Sequence, residues 1–243
     1  MRNLMELITY CHNNCHPEWQ PLISKALKSM DELYLKKLIN DESWFPGMGK
    51  LFAAFTLPLS QVRYLLLGES PYPRKQSANG YAFWDNAVDS LWSENGLSKT
   101  VNRATSLRNI IKMLLVARGE LNSDTSQEAI ANLNKNSLVK TAAQLFEGMM
   151  KKGILLLNAS LVYSEGEVPY HARHWRPFMQ CLLEELAVVK PKVELILLGK
   201  IAAVIPPNQL PIGLLAEHPY NISFIRNVKV IEFFKPLDLL SHD

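Results

Sequence analysis

Four short apolar runs, at residues 62–68, 153–159, 193–199 and 212–218, constrain the fold of this chain more than any other feature. Each is a mostly apolar run, rich in Leu and Ile, bounded by Gly, Pro or charged residues. Runs of this kind mark strands buried on both faces, the condition of a parallel sheet covered by helices. Helical spacing fills the gaps. Over 17–39, Trp19, Leu22, Ile23, Leu27, Met30 and Leu33 fall mostly three and four apart, and 107–117, 138–150 and 175–189 behave similarly. Strands alternating with helices predict an α/β fold, a four-stranded parallel sheet flanked by helices. The stretch 119–136, rich in Asn, Ser and Thr, reads as a connection with a short helix at 127–133. No repeat or low-complexity tract interrupts the pattern, and residues 1–243 are expected to form one domain.

In open α/β sheets, ligands sit beyond the carboxyl ends of the strands. Here those ends carry Gly68-Glu69-Ser70, Asn158, Gly199-Lys200 and His218-Pro219. Chemically capable side chains therefore converge on one rim from four separate parts of the sequence. Composition narrows the class of ligand. A hydrophobic content of 48% with 20% charged residues describes an ordinary soluble protein. A net charge of +3 and a pI near 8.7 permit a polyanionic partner without demanding one. No window approaches the roughly 18 apolar residues that span a bilayer. Residues 1–18 also lack the apolar core of a signal peptide, so no membrane partner is expected. Three cysteines make no disulfide framework, and a reducing cytoplasm is the expected location.

Cys11-His12-Asn13-Asn14-Cys15-His16 brings together four side chains of the types that bind zinc. Structural zinc sites draw their ligands from two separated pairs, and no second pair exists in the chain. The segment is read as leading into a helix start near Pro17, with no metal expected.

The first strand end is the most distinctive. Residues 65–73 read Leu-Leu-Leu-Gly-Glu-Ser-Pro-Tyr-Pro, and 78–83 read Ala-Asn-Gly-Tyr-Ala-Phe. This resembles the active-site segment of uracil-DNA glycosylases, Gly-Gln-Asp-Pro-Tyr-His followed without a gap by Ala-(Asn/His)-Gly-Leu-Ala-Phe. Trp44-Phe45-Pro46-Gly47 with Leu51-Phe52-Ala53-Ala54-Phe55 is similar to that family's Tyr-Pro-Pro…Phe-x-Ala-Phe. Ser106-Leu107-Arg108-Asn109-Ile110 resembles its Ser-Leu-x-Asn-Ile helix start. Leu155-Leu156-Leu157-Asn158-Ala159-Ser160-Leu161 is close to Leu-Leu-Leu-Asn-x-x-Leu, and His218-Pro219-Tyr220-Asn221-Ile222-Ser223 to His-Pro-Ser-Pro-Leu-Ser. The motifs also follow the family's order.

The resemblance implies a site for a flipped base, because a base is read chemically only once it has left the stack. Phe83 would stack on the base, Asn158 would pair with the imide edge that distinguishes uracil from cytosine, and Tyr72 would stand against C5. His218 would donate to uracil O2 as negative charge develops there. Ile222 takes the place of the leucine that enters the duplex as the base leaves. Ser106, Lys200 and Ser223 are candidates for phosphate contact, with Arg226 and Arg74 adding charge. Taken singly, each has a plain alternative. Phe83 and Ile222 fit core packing, Asn158 a turn, His218 a strand cap, and the Ser, Lys and Arg residues a solvated surface.

Two positions depart from the pattern. Ser70 stands where the family has an aspartate that holds the attacking water and stabilises the sugar cation. Glu69, one residue earlier, is the replacement candidate, since some thermophile-type branches carry Gly-Glu-Ala-Pro-Gly. Side chains alternate along an extended segment, so Glu69 reaches the site only if the chain turns after Gly68. Those branches hold an iron–sulfur cluster on four cysteines, one more than this chain has, and no cofactor is expected. Pro73 replaces a histidine, as in a divergent viral branch.

The resulting expectation is a monomeric DNA glycosylase that excises uracil from single- or double-stranded DNA, with altered or reduced activity. Glu69, Ser70 and His218 would be catalytic and Tyr72, Phe83 and Asn158 base-binding. Two further expectations stand beside it. One is a DNA- or protein-binding module that kept the fold without the chemistry. The other is a glycosylase for another damaged base, suggested by Tyr220-Asn221 and by Trp84 beside Phe83.

Overall fold

The computed structural model describes residues 4–41 and 43–242. Its helices are α1 (Leu4–Asn14), α2 (Gln20–Lys28), α3 (Glu32–Asn40), α4 (Lys99–Arg103), α5 (Thr105–Arg118), α6 (Gln127–Ala131), α7 (Ala142–Lys151), α8 (Val168–Val189), α9 (Ile201–Val204) and α10 (Val228–Phe234). Strands β1 (Tyr64–Gly68), β4 (Ile154–Asn158), β5 (Glu194–Leu198) and β6 (Ile212–Ala216) form one parallel sheet in the order β4-β1-β5-β6. β2 (Trp92–Ser93) and β3 (Gly96–Leu97) make a separate two-stranded ribbon.

The near-continuous apolar runs follow from two cores, one on each face of the sheet. Leu65, Leu67, Leu155, Leu157, Leu195 and Leu197 face α1, α2, α3 and α8. Leu66, Leu156, Ile196, Leu198 and Leu214 face α5, α7 and α10. Period-two alternation thus sends successive leucines to opposite cores, and both choices are apolar. β6 is the exception to the expectation of fully buried strands. It lies at the sheet edge, where Leu214 is buried but Ile212 and Leu215 are more than half exposed.

The helical pattern over 17–39 is not one helix. A 3-10 turn, Pro17–Trp19, leads into α2, and α3 begins after a break at 29–31. Asp31 forces the restart: its carboxylate accepts from the Tyr34 amide at 2.7 Å, an N-cap that a continuous helix would forfeit. The helix at 138–150 starts later, at Ala142, where Thr141 and Gln144 form a capping box. Near the N-terminus, α1 carries Cys11 in a helix of its own, and His16 caps the turn that begins at Pro17. The sulfurs of Cys11 and Cys15 lie 3.6 Å apart in the core, whereas His12 meets Ser24 at 2.8 Å. Among the described residues no group of three or more His, Cys, Asp or Glu could hold a metal ion.

Candidate active site

Strand order brings the site together. β1 and β4 are neighbours in register, with Gly68 opposite Asn158, and β5 and β6 end side by side. Their carboxyl ends open on a cavity of about 310 Å³, lined by Gly68, Glu69, Ser70, Tyr72, Phe83 and Asn158, with Pro71, Pro73, Ser106, Tyr163 and His218 completing the wall. The six residues expected to perform catalysis and base binding all line it.

Asn158 is the floor of this cavity. It is 3% exposed, and its amide makes no hydrogen bond to any described residue. The amide borders the cavity, so a ligand there can reach both its donor and its acceptor. Gly68 makes room for it: a Cβ at that position would fall 2.4 Å from Asn158 Oδ1 and 3.0 Å from Ala82 Cβ.

Phe83 and Tyr72 form one wall. Phe83 has a φ of +64°, a left-handed conformation that non-glycine residues rarely take. Such strain is worth on the order of 1–3 kcal/mol and clusters at functional sites. Two bonds hold it. The Tyr72 hydroxyl donates to the Phe83 carbonyl at 3.2 Å, and the preceding Ala82 amide donates to Leu156 O at 3.1 Å. Burial raises the Tyr72 phenol well above its ordinary pKa, keeping that donor protonated.

His218 forms the opposite wall, its ring 5.9 Å from that of Phe83. Its Nδ1 accepts from the Tyr220 backbone N–H at 3.1 Å, which places the imidazole proton on Nε2. Burial lowers the His218 pKa, and the charge of Glu69 works against that shift. The neutral ring with a donating Nε2–H is therefore the state at pH 7. Gly199, at φ +79°, leaves the space the ring needs, since a Cβ there would lie 2.7 Å from His218 Cβ.

Glu69 resolves the question of direction. β1 stops at Gly68 and the chain turns, anchored by Ala159 N donating to Gly68 O and Ser160 N to Glu69 O. Glu69 and Ser70 both line the cavity as a result, and Glu69 is exposed there, its charge reaching His218 through space.

The more distant expectations are placed unevenly. Ser106 lines the cavity in the first turn of α5, where helix N–H groups favour an anion. Ile222 and Ser223 are exposed at the start of a short 3-10 helix, Ile222–Arg226, that follows the His218 turn, Ile222 at 79%. Lys200 is exposed at the end of β5. Arg226 is exposed, with its guanidinium bonded to the Ser123 carbonyl. Arg74 pairs with the buried Asp85 at 3.2 Å, so its charge is partly spent inside the fold. Trp84 turns away from the cavity and stacks on Phe146, with centroids 5.4 Å apart and planes 9° from parallel.

Two residues outside the expected set matter. Asn109, on α5 and 1% exposed, donates from Nδ2 to the carbonyls of Pro219 (2.7 Å), Tyr220 (3.3 Å) and Asn221 (3.4 Å). It ties the loop that carries His218 to the helix. The signals for it were its place in the Ser-Leu-x-Asn-Ile helix start and an amide on an otherwise apolar helix face. Tyr163 joins the wall through a two-bond bridge with Phe45, N to O at 2.8 Å each way, and its ring stacks parallel to Phe45.

A family model described as the uracil DNA glycosylase superfamily matches residues 55–240. The chain is 45% identical to the wild-type UNG of Nitratifractor salsuginis, known from a crystal structure, with a TM-score of 0.90 over 98% of this chain and 96% of that one. It is 29% identical over 220 residues to a uracil-DNA glycosylase of Helicobacter pylori, covering 84% of this chain and 83% of the relative. A Streptococcus mutans uracil-DNA glycosylase is 28% identical over 198 residues, 77% of this chain and 74% of that protein. Motif order, sheet topology and these likenesses agree, and the chain belongs to the uracil-DNA glycosylase superfamily.

Proposed function

We propose that this protein is a monofunctional DNA glycosylase that hydrolyses the N-glycosidic bond of uracil in DNA and leaves an abasic site. The observation that carries the reading is the unpartnered, buried amide of Asn158 facing a cavity walled by Phe83 and by a neutral His218. Membership of the superfamily and the likeness to the Nitratifractor salsuginis UNG support it.

In this mechanism the flipped base stacks on Phe83, and the Asn158 amide donates to and accepts from its imide edge. Cytosine presents the wrong complement and leaves that buried amide unpaired, which is the stronger form of discrimination. Tyr72 occupies the side on which thymine carries its methyl group. As the glycosidic bond breaks, its electrons pass to the base, and the Nε2–H of His218 stabilises the charge on O2. Removing a donor of this kind typically lowers the rate by about 10²–10³. Water then adds at the sugar carbon, and its proton leaves to Glu69, with Ser70 as a neutral hydrogen-bonding group for that water. General-base assistance contributes roughly 10²–10⁴, so an altered base lowers the rate without abolishing catalysis.

Single-turnover release of uracil from single-stranded and duplex DNA tests the proposal. Native protein is expected to release uracil, Asn158→Ala to lose release, and Glu69→Ala to be slowed. No release above a protein-free control at excess enzyme overturns the excision reading. A specific observation favours the binding module in that event: the Glu69 carboxylate makes no hydrogen bond to any described residue, and Ser70 offers none of its own. Undiminished binding to abasic and uracil-containing duplexes would then identify it.

A further inference from the structure

Among the described residues, Tyr220 is the only aromatic side chain among the large apolar groups left exposed, at 68%. It sits two residues after His218, which lines the cavity, and two before the exposed Ile222. Its backbone is unusually well held for a loop. The N–H is engaged by His218 Nδ1, and the carbonyl lies within reach of the Asn109 amide, as do those of Pro219 and Asn221. The main chain is thus fixed while the ring makes no hydrogen bond and no ring contact with a described residue. An aromatic face presented to water on a rigid mount is a stacking platform without its partner.

We propose that Tyr220 stacks on a nucleobase next to the flipped uracil, making it a binding residue for unpaired DNA in addition to the pocket itself. The inference rests on the glycosylase reading and extends it to the neighbouring nucleotide. The chemistry fits a base and not a phosphate, because every base offers a π-face and a phosphate would engage the hydroxyl alone. The rigid mount also lowers the ordering cost of the stack, since only side-chain torsions remain to be fixed. Tyr220 and Ile222 would then act together: Ile222 fills the space the uracil leaves, and Tyr220 covers the base exposed beside it.

The test uses single-stranded oligonucleotides carrying a non-hydrolysable 2′-fluoro-arabino uridine, with 2-aminopurine on one side of it or the other. Binding by native protein, Tyr220→Phe and Tyr220→Ala is measured by fluorescence titration at two salt concentrations. Tyr220→Phe should keep native affinity, and Tyr220→Ala should lose on the order of 10-fold with an unchanged salt slope. In one of the two oligonucleotides, 2-aminopurine emission should be lower with native protein than with Tyr220→Ala. Equal losses in the Phe and Ala variants, or no loss in either, would overturn the stacking role. Uracil release by the same native preparation separates the two readings. Release with no effect of Tyr220→Ala defeats this inference alone, and absence of both release and binding defeats the glycosylase reading with it.

Discussion

Gly199 and His218 occupy adjoining strand ends so closely that the glycine's missing side chain is the histidine's space. A Cβ at Gly199 would stand 2.7 Å from His218 Cβ and 3.3 Å from Cδ2, on a backbone already at φ +79°. Gly199→Ala should therefore strain the backbone by ~1–2 kcal/mol and displace the ring. Displacing a catalytic group by an ångström can lower the rate by ~10²-fold. Thermal unfolding should show a modest loss in Tm, and single-turnover kinetics a much larger loss in rate. Equal and small effects on both would mean that the ring has room to spare.

Asn109→Asp keeps size and shape but turns a donor into an acceptor facing the carbonyls of Pro219, Tyr220 and Asn221. Arg108 Nε, 3.5 Å from the Oδ1 of residue 109, would remain beside the new carboxylate, but the three carbonyls would lose their donor and face an acceptor, so stability should fall by about 1–3 kcal/mol. Because the loop carries His218, uracil release should fall on the order of 10-fold or more while base selectivity holds. Urea denaturation and single-turnover release check the two parts separately.

Proton linkage offers a third test. Burial lowers the pKa of both His218 and His171, the latter held between the Tyr34 hydroxyl at 2.8 Å and Ser164 Oγ at 3.0 Å. The unfolded chain then binds more protons than the folded one, so stability falls as pH drops below the ordinary histidine value of about 6.5. The loss ends once pH passes below the folded values. Glu69 opposes the shift at His218, so Glu69→Gln should lower its pKa further. Nitrogen-detected NMR of the imidazoles would show this, with Nδ1 of His218 unprotonated at pH 7. A rise in the His218 pKa in Glu69→Gln would place the carboxylate elsewhere.

Tyr72 supplies a contrast between two variants. Tyr72→Phe removes only the bond to the Phe83 carbonyl, which is worth ~0.5–1.5 kcal/mol, and should weaken uracil release while thymine is still excluded. Tyr72→Ala also opens the wall, and measurable release of thymine from DNA is the expected gain. Thymine release by Tyr72→Phe, or none by Tyr72→Ala, would show that the exclusion lies with another residue.

Ile222, at 79% exposure, is free to enter a duplex. Ile222→Ala should reduce release from duplex DNA by more than from single strands, because only the duplex exacts unstacking of a few kcal/mol. Parallel kinetics on the two substrates give the ratio directly.

What could be read in advance was what local pattern encodes. The strand runs, the shared rim and the residues at its ends followed from apolar continuity and from the position of Gly, Asn and His at its breaks. The motif order added Phe83 and Tyr72. Asn109 belongs to a recognisable helix start, but its function depends on three carbonyls more than a hundred residues away, and no spacing rule connects them. Tyr163 is similar, since it reaches the site through a bridge to Phe45. The break before α3 was hidden because apolar residues on either side keep helical spacing, while the decision rests on one Asp31 hydrogen bond. The exposure of β6 depends on its place at the sheet edge, which is a property of strand order.

The bond from Tyr72 to Phe83 gives one side chain two duties. The phenol that would bar a methyl group also steadies the left-handed residue on which the base would lie. Selection cannot adjust one duty without disturbing the other, so a change in the preferred base is epistatic. A lineage that trims Tyr72 to admit a larger pyrimidine loosens Phe83 in the same step. The accessible order of substitutions therefore begins at position 83, where glycine adopts positive φ freely, or with a new support for its carbonyl. Homologues that combine a small residue at 72 with an unsupported Phe at 83 should be rare.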